Sequence, residues 1–180
     1  MGSGLTTLRR PLAGRVTVLR PTELPLLSEH LLRLDPESRR QRFNGVIGEG
    51  FIERYHLQYI TDDTVVIGYI DGGKMRGAAE LHPPDQKGSR PEIAFSVEKK
   101  FRSQGVGSIL FEKVIQEARK RNYLSLAMST DRNNDGMKSL ARKFGVYIEY
   151  RKGEARGILR LKPSVSTGNE RINELRPTAA

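Results

Sequence analysis

The chain has 180 residues, 37% hydrophobic and 29% charged, with a formal net charge of +10 at pH 7 and no cysteine. That is enough chain for one buried core, and the missing Cys excludes disulfides, thiolate metal sites and cysteine nucleophiles. No apolar run reaches the ~18 residues needed to span a bilayer, and the start "MGSGLTTLRRPLAGR" lacks the apolar stretch of a secretory signal, so no membrane association and a cytoplasmic location are expected.

Residues 1–14 are expected to be a flexible N-terminus, 15–162 one domain, and 163–180 a disordered tail, since "PSVSTGNERINELRPTAA" is poor in apolar residues. Within the domain, "RVTVLR" alternates apolar and polar residues and reads as a strand. Leu24, Leu27, Leu31 and Leu34 then recur at helical spacing. Asp35 is a good N-cap and Pro36 suits the first position of a second helix, "PESRRQRF", which "FIERYHLQYI" continues. "TVVIGYI" and "KMRGAAEL" flank Asp71-Gly72, a hairpin signal. "PEIAFSV" is the next strand, followed by a glycine loop and a helix ending near Asn122. "YLSLAMS" is a strand, "DGMKSLARKFG" a helix ending at Gly145, and "VYIEYRKGEARGILRL" a final hairpin. The order β-α-α-β-β-β-α-β-α-β-β predicts an α+β fold with one central, mixed but mostly antiparallel sheet flanked by helices.

The loop "FRSQGVGS" joins a strand to a helix through two glycines spaced two apart. A helix N-terminus presents about four unpaired N–H groups and a partial positive charge. Gly105 and Gly107 remove Cβ atoms there, so the N–H groups from Gln104 to Ser108 could converge on a diphosphate, with Arg102 adding a charge-assisted hydrogen bond. The spacing is neither that of a P-loop nor that of a dinucleotide-binding turn. A plain turn into a helix remains the other reading. The basic residues are scattered, with no aromatic-interleaved groove, which argues against nucleic acid as the partner. A phosphorylated cofactor accounts for part of the charge.

The run "PEIAFSVEKKFRSQGVGSILFEKVIQEARKRNYLSLAMS" resembles the acetyl-CoA-binding core of the GCN5-related N-acetyltransferase (GNAT) superfamily. The family's Arg/Gln-x-x-Gly-x-Gly/Ala loop is matched by Arg102, Gly105 and Gly107, and its second block by Asn134, Met137 and Gly145, with Val146 in place of a Phe. The resemblance implies acetyl-CoA as co-substrate, bound by Arg102, Ser103, Gln104, Gly105, Val106, Gly107 and Ser108. It also implies pairing of the pantetheine arm with the backbone of Phe95 and Val97, in a gap where that strand splays from the next. Asn134 would face the pantetheine; the residue's other reading is an N-cap. No metal is expected, since no His-x-x-x-His spacing occurs.

Acetyl transfer to an amine needs a base, because a lysine amine has a pKa near ~10.4. His30, His56 and His82 read as structural or surface residues. "EIAF" resembles the start of this strand in protein-lysine-acetylating members, which implies Glu92 as the base, with Glu80 second. "LDPESRRQRF" is similar to a segment of bacterial protein-lysine acetyltransferases. The Tyr that many members use as general acid is replaced by Ala141, and the oxyanion would fall to a backbone N–H near Val97. The expected function is acetyl transfer from acetyl-CoA to a primary amine, on a protein lysine or a small molecule. A non-catalytic acyl-CoA sensor on the same fold is the alternative. Acceptor identity and oligomeric state stay open.

Overall fold

The computed structural model describes residues 12–162 except 87, 152 and 153. The expectations for the tail 163–180 and for most of 1–14 lie outside these residues. Strand β1 (Arg15–Val18) leads to helices α1 (Pro25–Arg33), α2 (Pro36–Phe43) and α3 (Glu49–Gln58). Strands β2 (Val65–Asp71), β3 (Lys74–His82) and β4 (Glu92–Val97) follow, then α4 (Val106–Lys120), β5 (Ser125–Asp131), α5 (Asp135–Lys143), β6 (Tyr147–Arg151) and β7 (Glu154–Arg160). The sheet order is β1-β2-β3-β4-β5-β7-β6. Every neighbouring pair is antiparallel except β4 and β5. The predicted α+β layout is the one observed, with one refinement. The long second helix is two helices, because Asn44 turns left-handed at φ 51° and closes α2, while Gly48 is extended and caps α3. Asn is one of the few L-residues that accept that conformation.

The β2–β3 hairpin turns at Gly72 and Gly73, both at positive φ, as a tight hairpin of this hand requires. Two apolar layers sandwich the sheet. On one side Leu110, Phe111 and Val114 of α4 recur at helical spacing and are fully buried against the strands. On the other, Leu27 and Leu31 of α1 meet Ile52 and Tyr55 of α3. Each such side chain removed from water contributes roughly 1.5–3 kcal/mol. A run of parallel rings, Phe95 on Phe111 at 4.9 Å and Phe111 on Phe144 at 4.3 Å, fastens β4 to α4 and the end of α5.

The parallel contact between β4 and β5 has a single register pair, Glu92 with Ala127, beside a 2.8 Å bond from the Ala127 N–H to the Pro91 carbonyl. Parallel ladders normally continue with evenly spaced bonds. Here the two strands part after the first pair, and the edge of β4 from Phe95 to Val97 faces a cleft.

Candidate functional site

The cleft has a volume of about 570 Å³ and is bounded by α2, the splayed end of β4, the loop before α4, and the start of α5. Phe95, Val97, Arg102, Ser103, Gly105, Gly107, Ser108 and Asn134 all line it. Sequence-distant candidates thus converge on one surface. Three others do not line it: Val106 is fully buried in the core, Gln104 turns its amide to the Lys100 carbonyl, and Glu92 is exposed at the root of the β4–β5 splay.

The two glycines act differently from one another. Gly105 is the N-cap of α4 at φ 101°, a conformation that L side chains rarely adopt. Gly107 faces α5, where an added Cβ would stand 3.1 Å from Leu140 Cδ2. Its small size therefore serves helix packing at least as much as anion approach. The N–H groups of Ser103 to Gly107 meet no backbone acceptor among the described residues, whereas that of Ser108 bonds to the Gly105 carbonyl at 3.0 Å. The anion-binding stretch expected over 104–108 loses its last N–H to this tight first turn.

Arg102 reaches back from the loop. Its Nε donates to the Val97 carbonyl at 3.0 Å and a terminal nitrogen donates to Ser38 Oγ at 2.6 Å. Ser38 in turn bonds to Asp35, the α2 cap, and these bonds hold the Asp35 carboxyl below its usual range. Arg102 thereby ties the glycine loop to β4 and α2. Lys143 of α5 supplies a further cation at the cleft, donating to Ser108 Oγ at 2.9 Å.

Asn134 caps α5, accepting from the Met137 N–H at 3.0 Å and donating to Thr130 Oγ1 at 3.0 Å. Both ends of its amide are used in this way, so the N-cap reading describes it as it stands. Asn134→Ala should lower stability by about 1 kcal/mol, read as a shifted denaturant midpoint; an unchanged midpoint would mean that the cap carries no energy.

Next to the cleft lies a buried ionic cluster. Glu80 is fully buried, accepting from Arg42 at 2.7 Å and from the Tyr55 hydroxyl at 2.9 Å, with His82 Nε2 at 3.2 Å. Burial alone would raise its carboxyl, but Arg42 and His82 outweigh that and hold it at about 2. Burial pushes the Tyr55 hydroxyl up. Arg42 lines the cleft, and its Nε is buried without a partner among the described residues. This geometry removes Glu80 as a ready proton acceptor. Glu92, by contrast, is exposed, with Ser129 Oγ donating to it at 3.4 Å.

A seven-stranded sheet that splays at one parallel pair, with a glycine loop capping a helix at the splay, is a specific arrangement. The model of the acetyltransferase (GNAT) family matches residues 27–146. The chain belongs to the acetyltransferase (GNAT) family. The GNAT domain of PAT from S. lividans is similar in fold, with a TM-score of 0.70 at 20% identity over 82% of this chain and 90% of that one. The ribosomal-protein-alanine N-acetyltransferase from Brucella melitensis superposes with a TM-score of 0.63 at 17% identity, over 82% and 99% of the two chains. The protein yncA from Salmonella typhimurium, solved with its cofactor acetyl-CoA, gives a TM-score of 0.62 at 12% identity over 86% and 98%.

Within this GNAT fold, Ala141 is fully buried in the core and offers nothing to the cleft. Sequence reasoning missed the Arg42–Glu80–Tyr55–His82 cluster, the cation at Lys143, and a contact between His30 and Ser96 at 2.9 Å. Only His30 left a signal: it shares the apolar stripe of α1 with Leu27 and Leu31, which places an imidazole in the core. Among the described residues no helix is long and apolar enough to cross a membrane, and no group of three or more His, Asp or Glu side chains could hold a metal ion.

Proposed function

We propose that this acetyltransferase takes its acetyl group from acetyl-CoA and transfers it to a primary amine, with a protein lysine as the first acceptor to test. The observation that carries this reading is the cleft, which joins the glycine loop to the open edge of β4. The residues present fit the cofactor. N–H groups at the positive end of α4 that have no backbone acceptor among the described residues suit a diphosphate, Lys143 adds positive charge, and β4 offers a strand edge beside the cleft. Asn134 lines the same surface, where a pantetheine arm would pass. An amine acceptor is in keeping with the name of the ribosomal-protein-alanine N-acetyltransferase, and a lysine with the resemblance of residues 34–43 to lysine acetyltransferases.

Acetyl-CoA supplies an activated thioester when bound; the chain's residues position it and handle the protons. The N–H groups of Ser103 to Gly107 take the anionic end. A backbone N–H near Val97 would meet the oxyanion that develops at the carbonyl. Glu92 is the base in this reading, at the exposed root of the splay, where an amine can approach without crossing the cofactor cleft.

Thiol release from acetyl-CoA over a panel of primary amines and lysine peptides tests the reading. Binding without release on every amine would leave an acyl-CoA-binding protein, and failure to bind would remove the cofactor. Gly105→Glu should abolish acetyl-CoA binding in calorimetry, because it strains a position at φ 101° and sets a carboxylate beside the diphosphate. Wild-type affinity in a folded Gly105→Glu variant would place the cofactor elsewhere.

A further inference from the structure

Among the residues lining the cleft there is no histidine and no tyrosine. The cations that line it are Arg42, Arg102 and Lys143, and Lys143 is already engaged with Ser108 Oγ at 2.9 Å. Ser96 is different from the other cleft hydroxyls. It lies on β4 between Phe95 and Val97, lines the cleft, and is 7% exposed. Its Oγ is 2.9 Å from Nε2 of His30, which is fully buried in α1. The other ring nitrogen, Nδ1, stands 3.5 Å from Glu98 Oε1 and makes no hydrogen bond among the described residues.

Glu98 is anchored from two further sides. Arg33 Nε and an Arg76 terminal nitrogen each donate to it at 3.0 Å. Burial would raise its carboxyl, yet His30, Arg33 and Arg76 hold it at about 2, so it stays an anion. A histidine kept only for packing would have its ring nitrogens satisfied. This one leaves Nδ1 facing a carboxylate and turns Nε2 to a hydroxyl on the cofactor strand. Carboxylate, imidazole and hydroxyl thus stand in series, His30 bridging from α1 to Glu98 and Ser96, which are two residues apart at the end of β4.

We propose that Ser96, backed by His30 and Glu98, delivers the proton to the departing thiolate, an inference that rests on the acetyl-transfer reading above. The step requires a proton on each ring nitrogen of His30, Nδ1–H facing Glu98 and Nε2–H donating to Ser96 Oγ. When the tetrahedral adduct collapses, the C–S bond breaks and its electron pair passes to sulfur. Sulfur takes the Ser96 hydroxyl proton, and Ser96 Oγ takes the Nε2 proton of His30. The products are the amide and the free thiol, and His30 is left neutral until solvent returns its proton. Ser96 is the catalytic residue of this step, and His30 is a positioning residue that acts through it.

The experiment compares four full-length proteins: wild type, Ser96→Ala, Ser96→Thr and His30→Gln. Thiol release from acetyl-CoA is measured over the panel of amines and lysine peptides, and acetyl-CoA affinity by calorimetry. Ser96→Ala should lower kcat about 100-fold while acetyl-CoA affinity stays within about twofold. Ser96→Thr keeps a hydroxyl and should retain most of the rate. His30→Gln can still donate an amide N–H to Ser96 but has no proton to give, so its kcat should fall as far as that of Ser96→Ala. A His30→Gln enzyme with wild-type kcat would reduce the pair to a structural tie and overturn the proposal. So would a Ser96→Ala enzyme with wild-type kcat, or one whose loss follows weakened acetyl-CoA binding. If His30→Gln does not fold, the Ala and Thr variants at position 96 decide the matter. If wild type binds acetyl-CoA but releases no thiol with any amine, the transfer reading falls and takes this step with it. Normal wild-type turnover with unaffected variants removes this step alone.

Discussion

Glu80→Ala is expected to destabilise the protein by about 3–5 kcal/mol, because it leaves the buried guanidinium of Arg42 without its counter-ion. Arg42 has only 9% of its side chain exposed, Glu80 none, and the two are 2.7 Å apart. For a domain of this size that loss should lower Tm by roughly 6–20 °C. The effect depends on pH in a defined direction. Glu80 titrates at about 2 in the fold, below its ordinary 4.5. Its contribution is therefore complete above about 4.5 and is lost as pH falls towards 2. The difference in stability between wild type and Glu80→Ala should narrow across that window. Removing both charges at once, as Arg42→Met with Glu80→Leu, should recover most of the loss, since a buried pair replaced by apolar groups of similar volume is often neutral. A Glu80→Ala cost below 1 kcal/mol would show that Arg42 finds water or another partner.

The same cluster marks the limit of what the sequence could reveal. The elements were legible because each carries local signals: Leu27 and Leu31 at helical spacing, Asp35 before Pro36, Asp71-Gly72 between two apolar runs, Gly145 at the end of α5. The glycine loop at the cleft was legible because Arg102, Gly105 and Gly107 lie within six residues of one another. What was not legible depends on contacts between distant segments. Glu80 pairs with Arg42 across 38 positions, and His30 meets Ser96 across 66. No spacing rule reaches so far. The break at Asn44 was missed for a different reason: the turn pair Asn44-Gly45 announces it locally, but the helical patterns on either side outweighed that pair. Gly107 was assigned to anion approach, and only the packing of Leu140 shows its second use.

Glu92→Gln is expected to lower turnover about 10²–10⁴-fold at neutral pH, the usual worth of a general base. A primary amine with a pKa near ~10.4 is almost wholly protonated there, so the proton must be removed before the nitrogen can attack. Alternation along β4 sets Glu92, Ala94 and Ser96 on one face and Phe95 and Val97 on the other. The base and the proposed thiolate donor thus share a face, two strand repeats apart, with the acyl centre between them in this reading. Glu92 is exposed, and Ser129 donates to it at only 3.4 Å, so its carboxylate is free to accept a proton directly or through water. Because Glu92 does not line the cofactor cleft, acetyl-CoA affinity should be almost unchanged in Glu92→Gln. The rate deficit should shrink as pH rises towards the pKa of the amine, which then loses its proton unaided. Near-normal turnover of Glu92→Gln on its own acceptor would return the base to solvent, since Glu80 is locked by Arg42, Tyr55 and His82.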